Sequence, residues 1–91
     1  MAIVVQKFGG TSVATPQGWQ ALAAQVRAAL EEGKEPVVVV SAMGRKPAPY
    51  ATDTLLSLVA DYPHWTSSRE RDMLMACGEI ISTVVVSHYL R

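Results

Sequence analysis

The chain has 91 residues, enough for one small domain or part of a larger one, and a chain of this length buries a limited core. Hydrophobic residues make up 49% and charged residues 18%, which excludes a disordered chain. Eight basic residues cancel eight acidic ones with no basic run, which argues against nucleic acid or an anionic membrane as the main partner.

Ala2-Ile3-Val4-Val5 is apolar and rich in β-branched residues, and reads as a strand covered on both faces. It runs into Lys7-Phe8-Gly9-Gly10-Thr11-Ser12. Two glycines permit a sharp turn and remove the Cβ atoms that would hold a ligand away. Amides exposed in such a turn form an anion-binding concavity, and a neighbouring lysine adds a full charge. The chemistry suggested is phosphate binding at the carboxyl end of a strand. A plain structural turn fits the hexapeptide equally well, since neither a Walker A loop nor Gly-x-Gly-x-x-Gly is present.

Thr15-Pro16 predicts a helix start, a hydroxyl cap followed by proline at the first helical position. Trp19, Leu22, Ala23, Val26, Ala29 and Leu30 fall on one helical face, and Gly33 ends the helix. Trp19 reads as a core anchor rather than a platform for a base. Pro36 to Ala42 predicts a second strand, its four consecutive valines those of a central parallel strand. Strand, helix and strand then make a right-handed βαβ unit. That unit sets Gly9-Gly10 and Ser41-Ala42-Met43-Gly44 on one rim, where ligands bind in open α/β sheets.

Gly44 to Ala51 carries two prolines and the cations Arg45 and Lys46, and reads as a solvated connection or a flap over the strand ends. Thr52-Asp53 caps a short helix with Leu55, Leu56 and Val59 inward, ending at Tyr62-Pro63, before a surface turn at His64-Trp65-Thr66. Ser67-x-x-Glu70 is a capping box for the last long helix. Its expected buried stripe is Leu74, Cys77, Ile81, Val84 and Val85, with Ile80 beside it. The β-branched Thr83 to Val86 leaves an extended segment open there.

Met73 to Leu90 is long enough to suggest a membrane span, but Gly78-Glu79, Ser82, Ser87 and His88 argue against one. Cys77 is the single cysteine, so no internal disulfide forms, and it reads as a packing residue rather than a nucleophile. Glu79, flanked by Cys77-Gly78 and Ile80-Ile81, is expected to be partly buried and to need a partner. That partner is either a structural cation or a ligand ammonium received beside Gly78. No metal-ligand spacing is present, and no signal peptide is recognisable, which makes the cytoplasm the expected location.

Four segments now stand in order: Val5 to Ser12, Val38 to Gly44, Pro49 to Leu56 and Arg69 to Glu79. Together they resemble the amino-terminal part of the bacterial aspartate kinases, in the amino-acid kinase family, over nearly the whole chain. Pro47-Ala48 departs from the Gly-Asp pair common there. The resemblance implies the first part of a mostly parallel, three-layer α/β/α fold. It implies ATP and Mg2+ as cofactors and L-aspartate as substrate, with transfer of the γ-phosphoryl group to the side-chain carboxylate. By the same resemblance Lys7 contacts the transferring group, and Phe8, Gly9 and Gly10 belong to the phosphate-holding segment. Ser41 lies near the nucleotide phosphates and the substrate, Thr52 touches aspartate and Glu79 receives its amino group.

In the family the adenine site, an acidic residue that organises magnesium and a second lysine lie downstream, as do regulatory domains. The expectation is therefore a fragment with half a site, inactive alone, from an enzyme that is a homo-oligomer at full length. The rival readings are a stand-alone, non-catalytic module that binds phosphate or a partner, or a kinase acting on glutamate, acetylglutamate or a nucleotide.

Overall fold

Two valine-rich runs form the sheet. In the computed structural model, which describes residues 2–60 and 68–91, β1 (Ile3–Phe8) lies parallel to β2 (Glu35–Val40). Ile3 stands opposite Glu35 and Phe8 opposite Val40. Bonds from Glu35 N to the Ala2 carbonyl (2.8 Å) and from Ser41 N to the Phe8 carbonyl (3.2 Å) continue the ladder at its two ends.

Parallel neighbours need a crossover, supplied here by α1 (Pro16–Glu31). Thr15 caps it as expected: its Oγ1 accepts from Gly18 N at 3.1 Å, and Pro16 occupies the first helical position. At the other end Gly33, with φ of 77°, turns the chain back toward β2. Leu22 and Ala29 are buried and Trp19, Ala23 and Val26 half-buried, but Leu30 is exposed. Trp19 is the expected anchor. Its Nε1 donates to the Val13 carbonyl at 2.7 Å, and its ring lies 5.8 Å from that of Tyr89.

After β2 come a loop, α2 (Thr52–Leu56), a 3₁₀ turn (Ser57–Val59) and α3 (Ser68–Tyr89). Ala51 is the N-cap of α2 and no side chain caps it, so Thr52 is its first helical residue rather than its cap. Leu55, Leu56 and Val59 are half-buried. The expected helix end at Tyr62-Pro63, the turn at His64 to Thr66 and the capping serine Ser67 lie outside the described residues. Residues 83–86 are helical, which settles the helix-or-strand question for that run.

One face of the sheet carries the core. Val13, Leu22 and Val86 are its buried centre, with Phe8, Val26, Val40 and Met43 packed against them. α1 and α3 thus share this face. The expectation of strands covered on both faces does not hold within this chain. Ile3 and Val5 are each 66% exposed, and Val37 and Val39 also face outward. Nor is β2 central, since the described sheet has two strands. A run of valines records the capacity for burial on both sides, and a second helix layer is needed to realise it.

The buried stripe of α3 is displaced from the expected one. Gly78, Ser82 and Val86 are buried, with Leu74, Ile81 and Val85 half-buried. Cys77, Ile80 and Val84 face outward, Ile80 at 61% and Val84 at 62% exposure. A shift of one position turns a side chain by about 100°, enough to move it from the packed face to the open one. The apolar character of α3 extends around much of its surface, so its composition could not single out the packed side. Among the described residues, no helix is long and apolar enough to cross a membrane.

Candidate functional site

Because β1 and β2 run in parallel, their carboxyl ends open on the same side. There Gly44 N donates to the Gly10 carbonyl at 2.9 Å, joining the segment after β2 to the glycine turn after β1. The turn is itself closed by Ser12 N on the Gly9 carbonyl at 3.1 Å. Among the described residues, neither Gly10 N nor Thr11 N donates to a backbone carbonyl. Space at Gly10 is tight: a Cβ there would lie 2.7 Å from the Ala42 carbonyl oxygen and 3.0 Å from that of Gly44. Only glycine lets these two segments approach so closely.

The result is a cleft of about 500 Å³ lined by the glycine turn, the end of β2 and the start of α2. It gathers Gly9, Gly10, Ser41 and Thr52, four of the residues singled out in the sequence. Lys7, Phe8 and Glu79 do not line it. Lys7 stands opposite Val39 on the open face of the sheet, and it is exposed. The Phe8 side chain packs into the core from the opposite face, while its carbonyl accepts from Ser41 N.

Glu79 is exposed, contrary to the expectation of partial burial. Its neighbour Gly78 takes the packed position: a Cβ there would lie 2.9 Å from the Tyr50 carbonyl oxygen and 3.0 Å from Leu55 Cδ1. Glu79 is therefore rotated off that contact by about 100°. It needs no structural cation to offset burial, because water solvates the carboxylate.

The cleft also holds Thr11, Arg45, Asp53 and Leu56, which were not singled out as site residues. Arg45 was visible as a cation on a loop over the strand ends. Asp53 read as a helix cap; instead its Oδ1 accepts from both Lys46 N and Thr54 N, each at 3.0 Å. No spacing rule connects an aspartate to an amide seven residues back. Among the described residues, no group of three His, Cys, Asp or Glu side chains could hold a metal ion.

A parallel α/β unit whose strand ends present glycine amides and hydroxyls to one cleft belongs to the architecture of α/β ligand-binding domains. The particular family follows from similarity. The sequence profile of the amino acid kinase family matches residues 2–91, and the chain belongs to that family. It is 51% identical to Aspartokinase 1 of Bacillus subtilis over 90 residues, covering 99% of this chain and 22% of that protein. It is 41% identical to the aspartokinase of Geobacillus stearothermophilus over 87 residues, covering 96% of this chain and 20% of the relative. The crystal structure of aspartate kinase from Synechocystis superimposes with a TM-score of 0.83 at 42% identity. That match covers 98% of this chain and 14% of the Synechocystis chain. The chain thus spans about a fifth of the length of the curated relatives it matches.

Proposed function

We propose that this chain supplies the phosphate-facing rim and part of the substrate wall of an aspartate kinase site. The reaction is transfer of the γ-phosphoryl group of ATP to the side-chain carboxylate of L-aspartate, giving aspartyl phosphate. This is the entry step to lysine, threonine and methionine biosynthesis. The supporting observation is the convergence of Gly9, Gly10, Ser41 and Thr52 on one cleft at the ends of parallel strands. The two relatives named above are both aspartokinases, which supports aspartate as the substrate.

The nucleophile is a carboxylate, already deprotonated at neutral pH, so no general base is needed. Catalysis then consists of holding two anions together and offsetting the charge between them. Gly10 N and Thr11 N, which among the described residues have no backbone acceptor, suit phosphate oxygens at the cleft. The Ser41 hydroxyl can add another donor to the nucleotide side, and Thr52, at the start of α2, can donate to aspartate. Lys7, exposed on the open sheet face and outside the lining of the cleft, is assigned as the neutralising cation on the family resemblance alone. Glu79, exposed on α3 and likewise outside that lining, is assigned to the substrate ammonium on the same resemblance. Mg2+ bound to the nucleotide would add charge neutralisation. Among the described residues no group of three His, Cys, Asp or Glu side chains is placed to hold the ion, and no step is routed through it.

On this reading the chain carries half of a site, is inactive alone, and belongs to a cytoplasmic enzyme that is a homo-oligomer at full length. The open apolar sheet face favours, as a second reading, a non-catalytic module that binds another chain. Two measurements on the purified chain test the proposal. Backbone amide NMR should show Gly9, Gly10, Thr11 and Ser41 shifting when ATP is added. Hydroxylamine trapping should yield no aspartyl hydroxamate from ATP and aspartate. Amides that stay in place would overturn the phosphate role. A hydroxamate signal that disappears in Lys7→Ala would overturn the half-site reading.

A further inference from the structure

Among the described residues that line the cleft, Arg45 is the one cation. It stands on the loop between β2 and α2, which has no regular secondary structure to fix it. Among the bonds that hold the loop, three lie around Arg45. Gly44 N on the Gly10 carbonyl, at 2.9 Å, ties its beginning to the glycine turn. Ala48 N on the Arg45 carbonyl, at 2.7 Å, closes a turn within it. Lys46 N on Asp53 Oδ1, at 3.0 Å, ties the residue after Arg45 to the first turn of α2.

Asp53 also lines the cleft, where a carboxylate would by itself repel an anionic ligand. Its Oδ1 is engaged by two amides, those of Lys46 and Thr54, which offset part of that charge. An aspartate serving only to start α2 would need the Thr54 contact alone. The bond to Lys46 reaches seven residues back, to the neighbour of the cleft's cation.

We propose that Asp53 is a positioning residue, which through the Lys46 amide sets Arg45 at the cleft, next to the Gly44 that is bonded to Gly10. There the guanidinium contacts an anionic oxygen of the bound ligand. A guanidinium fork suits a phosphate or a carboxylate, and either source supplies the same two-oxygen acceptor. The inference rests on the phosphate-rim reading above and adds the residue pair that completes the charge balance of the cleft.

The test uses amide NMR on a parent chain of 91 residues carrying Val5→Lys and Val37→Thr, changes on the open sheet face outside the cleft that oppose self-association, with inorganic tripolyphosphate and L-aspartate as separate titrants. In Asp53→Ala the Lys46 amide should exchange faster with solvent, and affinity should fall about tenfold. Asp53→Asn keeps an oxygen acceptor and should restore Lys46 protection, with affinity within about twofold of the parent. Arg45→Gln should lose about tenfold in affinity with Lys46 protection unchanged. Dependence on Arg45 for tripolyphosphate identifies a phosphate contact, and for aspartate a substrate carboxylate contact.

Equal affinities for the parent and Arg45→Gln would overturn the proposal even if Asp53→Ala failed to fold. So would an Asp53→Asn variant as weak as Asp53→Ala. In either case shifts at Gly9 and Gly10 in the parent would leave the phosphate-rim reading standing. A parent chain whose Gly9 and Gly10 amides respond to neither titrant would overturn both.

Discussion

Gly10 and Gly44 are joined by a 2.9 Å hydrogen bond from the Gly44 amide to the Gly10 carbonyl, across the carboxyl ends of two parallel strands. The bond fixes how closely the two chain segments approach, and so the width of the cleft they line. The two glycines of the turn differ in what surrounds them. A Cβ on Gly10 would meet the backbone oxygens of Ala42 and Gly44, whereas one on Gly9 would meet nothing within 4 Å.

Gly10→Ala should therefore destabilise the fold by about 1–3 kcal/mol, because backbone oxygens cannot step aside as a side chain can. Gly9→Ala should leave stability within about 0.5 kcal/mol of the parent, yet crowd the mouth of the cleft. Urea denaturation of the two variants side by side checks the contrast. Equal losses would show that the turn does not approach Ala42 as described.

The second contact of this kind lies between α3 and the loop before α2. A Cβ on Gly78 would stand 2.9 Å from the Tyr50 carbonyl oxygen and 3.0 Å from both Ala42 Cβ and Leu55 Cδ1. Alanine usually stabilises a helix interior by roughly 1 kcal/mol over glycine. Here the sign should reverse, with Gly78→Ala less stable by about 1–3 kcal/mol. A gain in melting temperature would contradict the packing of α3 on this loop.

Ser82 is fully buried on α3, and among the described residues its Oγ has no hydrogen-bond partner. An unsatisfied buried hydroxyl costs more than the methyl group that could replace it. Ser82→Ala should raise stability by about 1 kcal/mol, read as a higher urea midpoint at unchanged slope. A loss of similar size would mean that the hydroxyl has a partner.

The open face of the sheet predicts association. Ile3, Val5, Val37 and Val39 form a contiguous apolar surface between two parallel strands. The isolated chain should sediment as a mixture of larger species, and Val5→Lys with Val37→Thr should shift it toward monomer. A monodisperse parent chain would favour the self-contained module over the half-site.

The local elements were decided by the sequence itself. Thr15-Pro16 capped α1 and Gly33 ended it, because caps and turns depend on a few neighbouring residues and their backbone preferences. Two valine-rich strands around one helix required a parallel pair, and a parallel pair placed Gly9-Gly10 and Ser41 to Gly44 on one rim. The four motif segments carried the family, now matched over residues 2–91.

Which side of an element is packed was left to the tertiary structure. α3 is apolar around much of its surface, and only its contacts with Tyr50, Ala42 and Leu55 chose Gly78 over Cys77 as the inward position. That choice turned Glu79 out to solvent. The valine run could not say that one face of the sheet would stay open, since cover depends on a second layer rather than on the strand. Asp53's hold on Lys46 was likewise invisible, because a loop brings those residues together through its path in space and not through any periodic spacing.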